Sequence, residues 1–262
     1  MANYMRREVL CEGYTRLNVE GFESDEERDK LRVALASYLK ERAQFMLGAD
    51  VEVEIEFETG SLISKLRVIG VAGTILLSGV TAYGSFRQGV DQLAKDASTV
   101  AHAANLESIF RTRAAYCDRV RVEARKGVFG RVSSILSELD GLKVKVDLAR
   151  LPISAQGVEY QQHVIDELVE WNKRVERLFT KFESTETHAC VSAGLAFELE
   201  SFPDKFPWSG QLNSESLRVK TLESNPEISS KVHAVAAEYA HLIKSIKRTM
   251  NQRVSQNAPK ST

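Results

Sequence analysis

The sequence predicts an α+β fold, an N-terminal antiparallel sheet with helices on one face followed by a C-terminal helical bundle. Three observations carry this: strict period-two alternation in VEVEIEFETGSLISKLRVI, the order of strand-like and helix-like periods before it and after it, and two heptad-like apolar stripes in the second half of the chain.

The elements follow in order. In YTRLNVEGF, Leu17 and Val19 share one face and Arg16 and Asn18 the other, which predicts a short strand. ESDEERDKLRVALASYLKERAQFMLG opens with Ser24 and places Glu27 three residues later, a capping box. Leu31, Leu35, Tyr38, Leu39 and Met46 make its apolar stripe and Gly48 its stop, so a helix precedes the alternating segment. Val51, Val53, Ile55 and Phe57 then alternate with Glu52, Glu54, Glu56 and Glu58, and Thr59-Gly60 supplies a tight turn. With a loop of those two residues, Glu58 faces Ser61, Phe57 faces Leu62, Val53 faces Leu66 and Val51 faces Val68, while Glu54 meets Lys65 and Glu52 meets Arg67. Each such opposite-charge pair contributes roughly 0.2–1 kcal/mol. A one-residue slip opposes apolar to charged side chains throughout, so it is disfavoured, and a bulged loop is the alternative connection.

Nineteen uncharged residues separate Arg67 from Arg87, about the length that crosses a bilayer as a helix. A strand that keeps Val68 and Ile69 shortens this span to about seventeen, the lower edge of that range. The run also holds Gly70, Gly73, Gly79 and Gly84 among several hydroxyl residues. The expectation is a strand end, a turn between Gly70 and Gly73, and a buried helix. The alternatives are a segment 69–86 that inserts into membranes and an apolar face covered by oligomerisation.

SFRQGVDQLAKDASTVAHAANLESIF continues helically, with Phe86, Val90, Leu93, Ala97, Val100 and Ala104 on one side and a kink at Gly84 or Gly89. YCDRVRVEA alternates again, predicting a strand that contains Cys117, buries Val120 and Val122, and turns Arg119 and Arg121 outward with Arg16, Lys65 and Arg67. Strand, helix, strand, strand, helix, strand in one sheet fits a ferredoxin-like sandwich. VFGRVSSILSELD reads as a further helix, and LKVKVDL as a small fifth strand or an extended connector.

The pattern breaks at RLPISAQG, which divides the chain into an α+β module over 1–150, a helical domain over 151–253 and a disordered tail over 254–262. In the helical domain, Val164, Leu168, Trp171, Val175, Leu178 and Phe182 form one stripe, and Val232, Val235, Tyr239, Leu242 and Ile246 the other. Such short heptad runs predict bundle packing within the chain. Pro203 and Pro207 rule out a continuous helix between the two.

At 262 residues and 43% hydrophobic the chain is long enough and apolar enough to build ordinary cores, which excludes wholesale disorder. Lys plus Arg (35) balances Asp plus Glu (36), so no global field draws it to nucleic acid or anionic lipid. Locally, residues 111–131 hold seven Lys or Arg against Asp118 and Glu123, a net of +5. RNA-binding sheets add stacked aromatic rings to such a face, so nucleic acid is the less favoured partner. Three scattered cysteines, Cys11, Cys117 and Cys190, fit free thiols in a reducing compartment, and the N-terminus lacks the apolar core of a secretory signal. The expected location is cytoplasmic, with peripheral or inner-membrane association as the alternative.

No motif for catalysis, a cofactor or a metal stands out. His188 and Cys190 lack a second ligand pair, His163 and Glu167 share a helix face as such residues routinely do, and no phosphate-binding loop or nucleophile elbow occurs. The expectation is therefore a non-enzymatic interaction or assembly protein, a homo-oligomer or binder of a protein partner through helix faces. A membrane-inserting effector is the first alternative and an enzyme with an unrecognised site the second. The candidate interaction residues are Arg67 and Arg87, which bracket the apolar run, Gly73, Gly79, Tyr83 and Phe86 within it, Arg119 and Arg121 of the basic patch, and Trp171 of the first stripe.

Overall fold

The computed structural model describes residues 7–58, 62–214 and 216–257. An N-terminal region of sheet plus helices is followed by a helical C-terminal region, and the sheet is open. The chain divides into two compact units, Met1–Ser133 with Phe182–Val191, and Ser134–Lys181 with Ser192–Thr262.

In the first unit, β1 (Glu8–Leu17), β2 (Val51–Glu58), β3 (Leu62–Gly70) and β4 (Arg119–Arg125) make a four-stranded sheet in the order β2-β3-β1-β4. All three neighbouring pairs are antiparallel. The crossover helices are α1 (Asp25–Leu47), between β1 and β2, and α3 (Phe86–Thr112), between β3 and β4. Ser24 caps α1 by accepting the Glu27 amide, and Leu31, Leu35, Leu39, Ala43 and Leu47 form its buried face.

The hairpin forms in a register two residues away from the one expected. Glu58 pairs with Ile63, Glu56 with Lys65, Glu54 with Arg67 and Val53 with Val68; the Thr59-Gly60 turn lies outside the described residues. A shift of two preserves every face, because side chains alternate with period two. Glutamates still meet Lys65 and Arg67, and alternation cannot distinguish the two registers.

After β3 the chain enters α2 (Ala72–Tyr83), twelve residues long, or about 18 Å against the about 30 Å of a hydrocarbon core. Among the described residues no helix is long and apolar enough to cross a membrane. The helix stops at Gly84, whose φ of +77° lies in the left-handed region that favours glycine, and Ser85 then caps α3. Gly89 is no kink. A Cβ there would lie 3.0 Å from the Gly79 carbonyl carbon, so these two glycines let α2 and α3 touch backbone to backbone.

The segment 182–191 belongs to the first unit through a buried polar knot. The Glu8 carboxylate is 3% exposed and accepts the amides of Ala72 at 3.1 Å, Ser184 at 2.9 Å and Glu183 at 3.2 Å. The Thr187 hydroxyl accepts the Gly73 amide at 2.8 Å. The first amides of α2 and those leading into α6 (Thr185–Glu200) are thus satisfied by side chains, and the carboxylate lies where both helix dipoles favour negative charge.

Four sequence expectations near the sheet and beyond it change. Cys117 lies in a 3-10 turn, Tyr116–Asp118, before β4 rather than in the strand. Val120 and Val122, expected in the core, are 57% and 42% exposed, because β4 is an edge strand with a neighbour on one side only; α3 does reach it, the Asn105 side-chain amide donating to the Glu123 carbonyl at 2.8 Å. The segment LKVKVD is helical, forming the end of α4 (Gly127–Asp147), since Leu142 and Val146 continue the buried stripe of Val132, Ile135, Leu136 and Leu139. The last helix, α8 (Pro226–Asn257), runs into the stretch expected to be a tail, and 258–262 lie outside the described residues.

The second unit is helical. Alongside the end of α4 it contains α5 (Ala155–Phe179), the later part of α6, α7 (Leu217–Glu223) and α8. Both apolar stripes are buried within it, except that Phe182 of the first lies beyond α5 in the first unit and Phe179 ends the stripe instead, and Ile243 rather than Leu242 completes the second. The proline-containing segment folds as well: Phe206 stacks on Trp208 and Tyr239, and the Tyr239 hydroxyl donates to the Pro203 carbonyl at 2.6 Å.

Candidate interaction surface

The surface with the most unusual chemistry is the β4 flank of the sheet. On the face away from the helices, β1 carries Glu12 and Tyr14, β3 carries Lys65 and Arg67, and β4 carries Arg121, Glu123 and Arg125. Glu12 is nearly buried and binds Arg67 at 2.7 Å and Arg125 at 2.5 Å. Glu123 binds Arg125 at 2.7 Å and also pairs with Arg121. Hydrogen bonds from Arg125 and then Arg121 hold the Glu123 carboxyl below the usual carboxylate range. Lys65 pairs with Glu58, and Arg67 reaches Glu56 at 3.3 Å. Tyr14, an aromatic ring the sequence reading did not place on this face, lies under Arg121 and Arg125 at 5.5 and 5.1 Å. Two cations of the net positive patch of the sequence, Arg121 and Arg125, are therefore held in a lattice of ion pairs with carboxylates supplied by β1 and β4, while the β2 glutamates neutralise Lys65 and Arg67 of β3.

Arg119 departs from this face. A bulge between β1 and β4 pairs Arg121 with Arg16 but Arg119 with the core residue Leu17, so Arg119 turns toward the helix side. There it lines an open groove of about 560 Å³ with Leu106, Ile109, Phe110, Arg113 and Ala114. Phe110 is 77% and Leu106 66% exposed on α3, and Val120 and Val122 of β4 are exposed as well. Amphipathic helices of compact units point such residues inward. Here Leu106 and Phe110 stay exposed in a groove that Arg119 of β4 also lines, and β4 is a sheet edge with which, among the described residues, no strand pairs.

The expected interaction residues are scattered. Arg121 lies on the β4 edge, Arg119 beside it in the groove and Arg67 in the ion lattice. Gly73, Gly79 and Phe86 are buried in packing inside the first unit, Tyr83 is exposed at the end of α2, and Arg87 is half-buried near the start of α3. Trp171 is fully buried in the second unit, its indole N–H donating to the Ile135 carbonyl at 2.9 Å. Sequence reading missed Leu106, Phe110 and Tyr14. The signal for the first two was present in α3: they fall off its Phe86-to-Ala104 stripe.

His163 and Glu167, noted above for sharing a helix face, line a separate open groove of about 470 Å³ in the second unit together with Asp166 and Glu170. Glu167 is paired there with Lys145 at 2.6 Å and Glu170 with Lys173 at 2.7 Å. Among the described residues no group of three His, Cys, Asp or Glu side chains is arranged to hold a metal ion. No protein-family model, no curated protein and no solved structure matches this chain.

Proposed function

We propose that this is a non-enzymatic interaction protein whose docking surface is the α3–β4 flank of a ferredoxin-like N-terminal module. The sheet order β2-β3-β1-β4 with two crossover helices supports that description of the module. The single observation that carries the function is the exposure of Leu106 and Phe110, in a groove shared with Arg119, together with that of Val120 and Val122 on an unpaired strand edge. Covering those side chains returns apolar area to a dry environment at roughly 25 cal/mol per Å². The heptad-like stripes of α5 and α8 are consumed in the second unit's own core, which moves the helix-mediated contact to the outer side of α3. An exposed thiol at Cys117 supports a reducing, cytoplasmic setting.

The test compares the native size of the wild type and of Phe110→Asp, both purified and in native extract. The reading expects a species larger than one chain in at least one of these settings, lost in the variant. A single-chain size for both proteins in both settings overturns it.

A further inference from the structure

We infer that two copies of this chain pair edge to edge through β4, antiparallel about a two-fold axis at Val122, so that two four-stranded sheets join into one. This rests on the reading of the α3–β4 flank as a docking surface and names the occupant as a second copy.

The argument is one of complementarity. In a register centred on Val122, Arg121 of one copy stands across from Glu123 of the other, twice by symmetry, on the outer face. On the helix face Val122 meets Val122, and Val120 meets Ala124. Extending the register by one step would oppose Arg125 to Arg119. The bulge removes that repulsion, because it turns Arg119 away from the outer face to the α3 side. The two-fold also places both α3 helices on the same side of the joined sheet, so the groove of Leu106, Phe110 and Arg119 of each copy lies on the same side as the apolar seam made by Val120 and Val122. An isologous contact of this kind closes on itself.

The other edge does not offer this. Every outward residue of β2 is a glutamate, so pairing β2 with β2 opposes like charges throughout. Pairing β4 with β2 of a second copy sets Arg121 and Arg125 as well as Glu123 against glutamates, two attractive contacts and one repulsive, but it leaves a free edge at each end and so builds an open ladder instead of closing on itself.

Charge reversal with rescue tests the pairing. Arg121→Glu opposes glutamates across the two-fold, and Glu123→Arg opposes arginines. A one-to-one mixture restores both pairs: the glutamate introduced in one variant faces the arginine introduced in the other, and the retained Glu123 of the first faces the retained Arg121 of the second. Sedimentation of the purified wild type is expected to show a dimer, each variant at least tenfold weaker in self-association, and the mixture a heterodimer of wild-type strength. Val122→Glu and Val122→Lys repeat the logic at an exposed position on the axis, in case the ion lattice around Glu123 is needed for folding; only their mixture is expected to dimerise. A purified wild-type monomer overturns the pairing while leaving the docking surface to another partner if the extract species still depends on Phe110. A dimer lost in Phe110→Asp but unaffected by both charge pairs also overturns it and leaves the proposed function standing. A ladder of higher oligomers points to β4–β2 pairing and overturns the closed dimer.

Discussion

Replacing Glu8 by glutamine changes one atom of a side chain that is 3% exposed and accepts three backbone amides, those of Ala72, Glu183 and Ser184. Glutamine's single carbonyl oxygen can keep the Glu183 and Ser184 bonds, but its NH₂ group then faces the Ala72 N–H. One charge-assisted bond is lost, worth about 1.5–3 kcal/mol, and the buried Ala72 donor is left without an acceptor. Removing the negative charge from the starts of α2 and α6 costs about 0.3–1 kcal/mol at each. The sum is about 2–5 kcal/mol, and Glu8→Ala, which orphans all three amides, should exceed it. Because the chain has two units, a single global unfolding energy is a poor readout. Amide hydrogen exchange is the better assay. Glu8→Gln is expected to cut protection at Ala72, and at Gly73 beside it, by at least about 30-fold relative to amides of the α5–α8 bundle. Unchanged protection at Ala72 and Ser184 in both variants would refute the assignment of this carboxylate as the clasp between β1, α2 and α6.

Gly73→Ala should destabilise the first unit by about 1–3 kcal/mol, since the new Cβ would overlap the Glu186–Thr187 backbone, whereas Gly141→Ala in α4, with open space around it, should be neutral or stabilising by up to about 1 kcal/mol; thermal melts of the two variants decide. A thiol reagent at pH 8 should modify exposed Cys117 rapidly and the other two cysteines only on unfolding, because burial pushes Cys11 up to about 12 and Cys190 up to about 11. Those raised values also predict that the thiols' contribution to stability, complete below the ordinary 9.0, is lost as pH rises toward 11–12; an unchanged urea midpoint between pH 8 and 11 would contradict this. Glu123 should titrate below the usual carboxylate range by NMR, move up toward it in Arg125→Ala, and give its contribution above the ordinary carboxylate pKa and lose it as pH falls through the lowered value; the same titration in both proteins contradicts the ion lattice.

Much of the fold was legible in the linear pattern. Alternation in VEVEIEFE and LISKLRVI, the Ser24 cap and the leucine stripe of α1, and the two stripes of α5 and α8 all report local geometry, and each became the element it predicted. The candidate site was much less legible. Val120 and Val122 alternate as a half-buried strand should, and nothing in RVRVEAR says that β4 would lie at the edge of the sheet.

The amino-acid order by itself determined most of the strands and helices and which face of each seeks the core, because those properties have periods of 2 and 3.6 along the chain; LKVKVD, whose short alternation also fits a helix, is the exception. Tertiary structure decided what periodicity cannot encode. It chose between hairpin registers two residues apart, where every face is conserved. It brought the Glu8 carboxylate to amides from two distant segments, where charge and dipole agree. It also left the α3–β4 flank uncovered, because β4 took the edge of the sheet, and burial is a property of neighbours rather than of a residue's own sequence.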